Sequence, residues 1–233
     1  MEVRGTIQQF VKGLKHLVKP VYIRLSVRFV RFIEGIHDIR LCGSLLTRDR
    51  EVNVEGATAY SPTRYWALDE MFANAVFSED DSFVDIGCGE GRVLAWLIHD
   101  KRFSGQITGI EKDPEVAAIA KKWMSRHPNE KVKIIEGDAM EQSYKDYTIV
   151  YIFRPFNETF FERLIQRIES QITHPVRFYY LSDNYSRKFL VSRQGWKMIK
   201  RQPILKKHGL FLYVIPQFYS IWIYTPPFGQ SEC

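Results

Sequence analysis

Residues 83–94 read FVDIGCGEGRVL, and few folds can accommodate that string. Apolar Phe83, Val84 and Ile86 have the character of a buried strand end, and Gly87, Gly89 and Gly91 alternate with Cys88 and Glu90. Val93, Leu94 and Leu97 then fall at helical spacing. A strand, a glycine-rich turn and a helix together let the backbone come close to a nucleotide-like ligand, because a Cβ in the turn blocks the approach or forbids positive φ. The same turn also serves as a bare tight connection, so it does not define a site alone.

Two further strand-like runs add the missing constraint. Residues 106–110 (QITGI) lead into Glu111, and residues 132–136 (VKIIE) lead into Gly137, Asp138 and Ala139. With Asp85 two positions before Gly87, three successive strands carry a carboxylate at or near their C-terminal ends, where open α/β sheets bind ligands. A nicotinamide-binding domain also places an acid after its second strand, but its fingerprint is G-x-G-x-x-G. Here the turn is G-x-G-x-G followed by Arg92 and Val93.

In order, DIGCGEGR, IEKD and EGDAM across residues 61–226 resemble the motifs of class I S-adenosylmethionine (SAM)-dependent methyltransferases. The resemblance implies SAM as cofactor. Asp85 and the backbone of Gly87, Cys88, Gly89 and Gly91 would hold its methionine part. Glu111, with Lys112 beside it, would take the ribose hydroxyls, and Asp138 with Ala139 the adenine. An ionised carboxylate suits these tasks because it only accepts hydrogen bonds and can receive two donors at once. Cys88 reads as a small residue filling a tight turn. Tyr60 and Thr63, just before the first strand, are either cofactor contacts or part of a helix start in which Ser61 caps and Pro62 takes the first turn.

The fourth motif of the family corresponds to IVYIFRPFN at residues 149–157. Amine-directed members carry Asn or Asp before the proline, whereas this chain has Arg154, then Pro155, Phe156 and Asn157. Arginine has no acceptor and stays charged, which argues against methylation of a nucleic-acid base. Arg154 either binds an anionic substrate group or pairs with an acid such as Glu158. Asn157 offers an acceptor from a shifted position. His174 and Asp183 flank the next strand and read as strand-end residues in water. The six histidines show no H-x-x-x-H pairing, and no metal site is expected.

From residue 83 onward, strands 83–86, 106–110, 132–136, 147–153 and 176–181 alternate with helices 91–99, 114–126 and 158–172. This alternation predicts an α/β fold, a parallel sheet with helices on both faces; the resemblance implies that the sheet is doubly wound, mostly parallel and seven-stranded, with an antiparallel C-terminal edge hairpin. The β-like segments 196–201, 210–215 and 218–224 are one more than that hairpin needs, so an insertion or a bent strand is expected there.

Residues 1–50 hold ten Lys or Arg against four Asp or Glu, a surplus of six equal to the net charge of the whole chain. They read as a basic N-terminal helical extension ahead of a catalytic domain at 51–233. An amphipathic helix over 6–19 ends or kinks at Pro20, and a second follows over 21–40. The extension is expected to cover the catalytic domain with a solvated basic face. The alternative is contact of residues 1–40 with an anionic membrane surface or a nucleic-acid backbone. Three scattered cysteines form no disulfide framework, and no apolar run is long enough to cross a bilayer, so a cytoplasmic protein is expected, with membrane association as the alternative. The predicted activity is methyl transfer to a small molecule or a protein side chain, nucleic acid being a less favoured acceptor. The alternative is a catalytically silent SAM-binding module docked through its basic N-terminus.

Overall fold

The computed structural model describes residues 2–46, 61–154 and 156–227, with side chains from residue 18 onward. Tyr60 and Pro155 therefore lie outside the described residues. The chain opens with a long helix, α1 (Glu2–Cys42), and a short one, α2 (Tyr65–Met71). There follow β1 (Ser82–Ile86), α3 (Arg92–His99), β2 (Gln106–Glu111), α4 (Pro114–Met124), β3 (Val132–Glu136), β4 (Ile149–Phe153), α5 (Glu158–Gln171) and β5 (Val176–Leu181). The C-terminal part holds α6 (Lys188–Val191), β6 (Trp196–Ile204), β7 (Lys206–Lys207), β8 (Leu210–Phe211) and β9 (Gln217–Tyr224).

Seven strands form one sheet in the order β3-β2-β1-β4-β5-β9-β6. Strands β1 to β5 are mutually parallel, and β9 runs antiparallel to both β5 and β6. Alternate side chains of each strand enter separate cores on the two faces. Phe83, Ile149 and Tyr151 join one cluster, and Val84, Ile86, Val150 and Ile152 the other. Burial on both faces is why the strands read as continuous apolar runs rather than alternating ones. The extra C-terminal β segment is an insertion. Of residues 210–215, only Leu210 and Phe211 are strand, and they pair with Lys206 and Lys207 in a small separate hairpin.

Two N-terminal expectations are corrected. Pro20 does not end a helix but lies inside α1; it removes one backbone donor, yet the helix continues because its C-terminal half is anchored by tertiary packing. Val30, Cys42 and, just beyond the helix, Leu46 are fully buried in the first cluster. Ser61 and Pro62 do not start a helix, since α2 begins at Tyr65. Its first amide is capped from outside: Tyr65 N donates to Glu34 Oε1 of α1 at 2.9 Å. A carboxylate 31 residues away in sequence thus supplies what Ser61 was expected to supply.

Candidate active site

The parallel strands end side by side, and the acids expected at their tips are there. Asp85 is buried in β1, and its Oδ2 has no hydrogen-bond partner. Burial first, and then the nearby Glu111 carboxylate, pushes the Asp85 carboxyl well above the usual range. The turn beyond it takes positive φ at all three glycines: 76° at Gly87, 57° at Gly89 and 86° at Gly91. At Gly91 a Cβ would also sit 3.1 Å from Trp123, whose indole donates to Glu90 O at 2.8 Å. Cys88 is buried against Gly109 of β2, and burial raises its thiol, which fits a packing role.

Glu111 ends β2 and ties the turn to the sheet. Its Oε2 accepts from Gly89 N at 2.8 Å and its Oε1 from Asp113 N at 2.9 Å. Burial still leaves its carboxyl raised, although these amides oppose the shift. Asp138 follows β3. Its Oδ2 accepts from Lys112 Nζ at 2.7 Å and its Oδ1 from Met140 N at 2.8 Å. Partial burial pushes Asp138 up, but the Lys112 hydrogen bond and the Met140 amide outweigh it and hold the carboxyl below its ordinary value. Ala139 is buried, its carbonyl accepting from Tyr144 at 2.8 Å.

Thr63 is buried at the same end of the sheet and shares a 2.7 Å hydrogen bond with the Tyr151 hydroxyl of β4. Tyr151 is the cross-strand neighbour of Asp85. Beyond β4, Arg154 adopts a φ of 35° and lies 3.7 Å over the Tyr185 ring. Phe153 pairs with Leu181, and Ser182, the residue just beyond β5, has a φ of 62°. Two non-glycine residues in left-handed geometry therefore stand at neighbouring strand tips, a kind of strain that concentrates at functional sites. Phe156 packs on the second cluster, and Asn157 caps α5, its Oδ1 accepting from Phe160 N at 3.0 Å. Asp183 is held by a two-pronged pair with Arg201 at 2.8 and 3.0 Å, and His174 contacts Tyr147 O at 3.1 Å.

Behind the glycine turn lies a feature that sequence reasoning missed. Arg92, the first residue of α3, is buried and reaches Asp38 with Nε at 3.0 Å and Nη2 at 2.7 Å. Its Nη1 donates to Glu34 Oε2 at 3.1 Å and to Thr63 O at 3.2 Å. Arg64 joins through Glu34 Oε2 at 3.0 Å, and Tyr65 donates its hydroxyl to Asp38 Oδ1 at 2.7 Å. Burial opposes the Arg92 charge, but Asp38 and Glu34 more than restore it and keep the guanidinium protonated. α1, the 63–65 segment and the glycine turn thus share one buried ionic knot.

SAM fits the strand-tip residues on a specific ground. A buried carboxyl oxygen with no partner is costly unless something completes it, and the ammonium and sulfonium of SAM are cations. Glu111 and Asp138 keep spare lone pairs for hydroxyl and amino donors. A family model described as a methyltransferase domain matches residues 83–172, which run from β1 through α5 and carry all three acids. Residues 83–172 thus form a methyltransferase domain, and the chain is a SAM-dependent methyltransferase.

The fold is shared with solved structures. The methyltransferase superposes on an RNA methyltransferase from Salinibacter ruber in complex with S-adenosyl-L-homocysteine, with a TM-score of 0.52 and 18% identity. That match covers 73% of this chain and 97% of the other. TrmN from Thermus thermophilus matches with a TM-score of 0.53 and 10% identity over 71% of this chain and 49% of its own. At such identities the likeness is one of fold. A protein-lysine N-methyltransferase from Saccharolobus islandicus is 26% identical over 164 residues, covering 67% of this chain and 92% of that protein. Among the described residues no group of His, Cys, Asp or Glu could hold a metal ion, and no helix is long and apolar enough to cross a membrane.

Proposed function

We propose that the methyltransferase acts on a protein, at the side-chain amine of lysine. The observation that carries this reading is the alignment with the Saccharolobus protein-lysine N-methyltransferase, which extends along 92% of that protein. In this reading Asp85 and the Gly87, Cys88, Gly89 and Gly91 turn hold the methionine end of SAM, and Glu111 takes the ribose hydroxyls. Asp138 and Ala139 hold the adenine, with Lys112 fixing the Asp138 carboxylate, and Thr63 closes the methionine end through Tyr151. Tyr60 and Pro155 keep the roles that the family resemblance implies. Bound SAM supplies a methyl group on a sulfonium, already activated for displacement.

The chain's own work is alignment and control of charge. In-line positioning is worth roughly 7–11 kcal/mol, which explains why no catalytic triad is needed. A lysine amine is nucleophilic only when neutral, and the Arg154 guanidinium at the β4 tip disfavours the ammonium form of an amine beside it. Tyr185 holds that guanidinium against its ring, and Phe156 with the β5 tip walls the acceptor space. Asn157 sets the direction of α5 through its cap.

The test is full-length protein with methyl-labelled SAM and a lysine-rich polypeptide, followed by acid hydrolysis. Methyl-lysine among the products supports the reading. Transfer that survives acetylation of every substrate lysine, or label only in small molecules, removes it. Arg154→Ala should slow turnover about tenfold at neutral pH, the equivalent of one unit in the substrate amine's pKa, and move the rate profile to higher pH. SAM affinity should stay within about twofold. Unchanged turnover assigns Arg154 a structural part.

A further inference from the structure

Helix α1 is apolar on two opposite sides. At 3.6 residues per turn, Ser26, Val30, Glu34, Asp38 and Leu41 share the face that is buried against the catalytic domain. The opposite face carries Val18, Leu25, Phe29, Phe32, Ile36 and Ile39, each more than half exposed, with Phe32 at 65%. With Val21, also exposed, these recur at the three- and four-residue intervals of a continuous stripe. Isolated exposed hydrophobics are ordinary, but a contiguous stripe along about 32 Å of helix is not.

The charge around the stripe decides what covers it. Lys19, Arg24, Arg28 and Arg40 are exposed along α1. The acids of the same described stretch, Glu34 and Asp38, point the other way into the buried knot with Arg92. The outer side of the helix from residue 18 onward thus offers cations without exposed carboxylates. A second copy of this face would bring like charges together and provide no pairing acid, so self-association is disfavoured. An anionic lipid surface satisfies both features, because basic side chains meet headgroups while Phe29, Phe32 and Ile36 enter the acyl boundary. The helix lies in the surface plane, since none in the described chain is apolar enough to span a bilayer.

We propose that the outer face of α1 docks the methyltransferase in the plane of an anionic membrane surface. Co-sedimentation of the full chain with vesicles of phosphatidylcholine alone, and of phosphatidylcholine with one quarter phosphatidylglycerol, tests it. Binding is expected to the anionic vesicles, at least tenfold weaker to the neutral ones, and weaker again in high salt. The double changes Phe29→Ser with Phe32→Ser, and Arg24→Glu with Arg28→Glu, should each reduce binding at least tenfold. Both pairs are exposed, so melting temperature and SAM affinity should hold. Absence of binding to anionic vesicles overturns the proposal, as does equal binding by the wild type and both variants. A wild-type dimer that Phe29→Ser with Phe32→Ser converts to a monomer, with no vesicle binding by either, assigns the stripe to a second copy instead.

Discussion

Asp85 concentrates the chemistry of the site in one carboxyl group. Its folded pKa stands above the free value through burial and then the Glu111 charge, so the folded chain keeps a proton that the unfolded chain has released. Stability drawn from this group is complete below the ordinary carboxylate range and is lost as pH rises toward the folded value. A cation beside Asp85 restores its charge and expels the proton. SAM should therefore bind more tightly as pH rises up to the folded pKa, with proton release visible by calorimetry in buffers of different ionisation enthalpy. Asp85→Asn keeps the shape but cannot ionise. It should weaken SAM binding about 10–100-fold, the usual worth of a charged hydrogen bond, and abolish the proton release. Retained release would move the titrating group elsewhere, Glu111 being next. Gly91→Ala tests the turn separately. With φ at 86° and Trp123 3.1 Å from the new Cβ, it should cost about 1–3 kcal/mol in urea unfolding, and SAM affinity should fall with it.

Between elements, the ionic knot joins α1, α2 and α3. A buried pair broken on one side leaves an uncompensated charge, so Arg92→Met should destabilise by about 3–5 kcal/mol, measured by urea denaturation. Replacing Arg92, Arg64, Glu34 and Asp38 together by apolar residues should recover part of that loss, because neither guanidinium then stays buried without its carboxylate. A quadruple variant no more stable than Arg92→Met would mean that the knot acts through geometry rather than charge. This knot also marks where the sequence stopped being legible. The strand tips could be read because local spacing fixes them: an apolar run, a glycine turn and an acid within a few residues. Arg92 lies 54 positions from Asp38 and 58 from Glu34, and charged residues are normally solvated, so nothing local marked them as buried. Helix α1 was obscured for a related reason. Ile23, Leu25, Val27 and Phe29 alternate like a strand because some serve the domain-facing side and others the outer stripe, and two apolar faces blur the 3.6-residue period. Asn157 was read as a possible acceptor because a cap and an acceptor use the same amide oxygen.

For the whole molecule, the boundary between extension and catalytic domain is a question of where the core begins. A division at residue 50 follows charge, since all the surplus cations precede it. Packing draws a different line. Among the side chains described over residues 18–25, Tyr22 touches the domain: it donates to Gly209 O at 2.8 Å and meets the Phe211 ring edge-on. From Ser26 onward α1 supplies fully buried Val30 and Cys42 together with both carboxylates of the knot. Removing residues 1–24 should therefore leave a folded enzyme that binds SAM, shifted in melting temperature by a few degrees for the loss of about 1 kcal/mol of hydrogen bonding. Removing residues 1–46 strips the partners from Arg92 and Arg64 and uncovers Tyr65, which packs on His37 and donates to Asp38. At about 2–4 °C per kcal/mol for a chain of this size, losing 3–5 kcal/mol from the knot alone lowers the melting temperature by roughly 10 °C. Exposed apolar surface then adds aggregation. Thermal melts and SAM titrations of the two truncations decide between the boundaries. If the shorter chain, beginning at residue 47, melts cooperatively within a few degrees of the full protein, α1 is an appendage; if it does not, the second half of α1 is part of the catalytic core and holds the glycine turn in place.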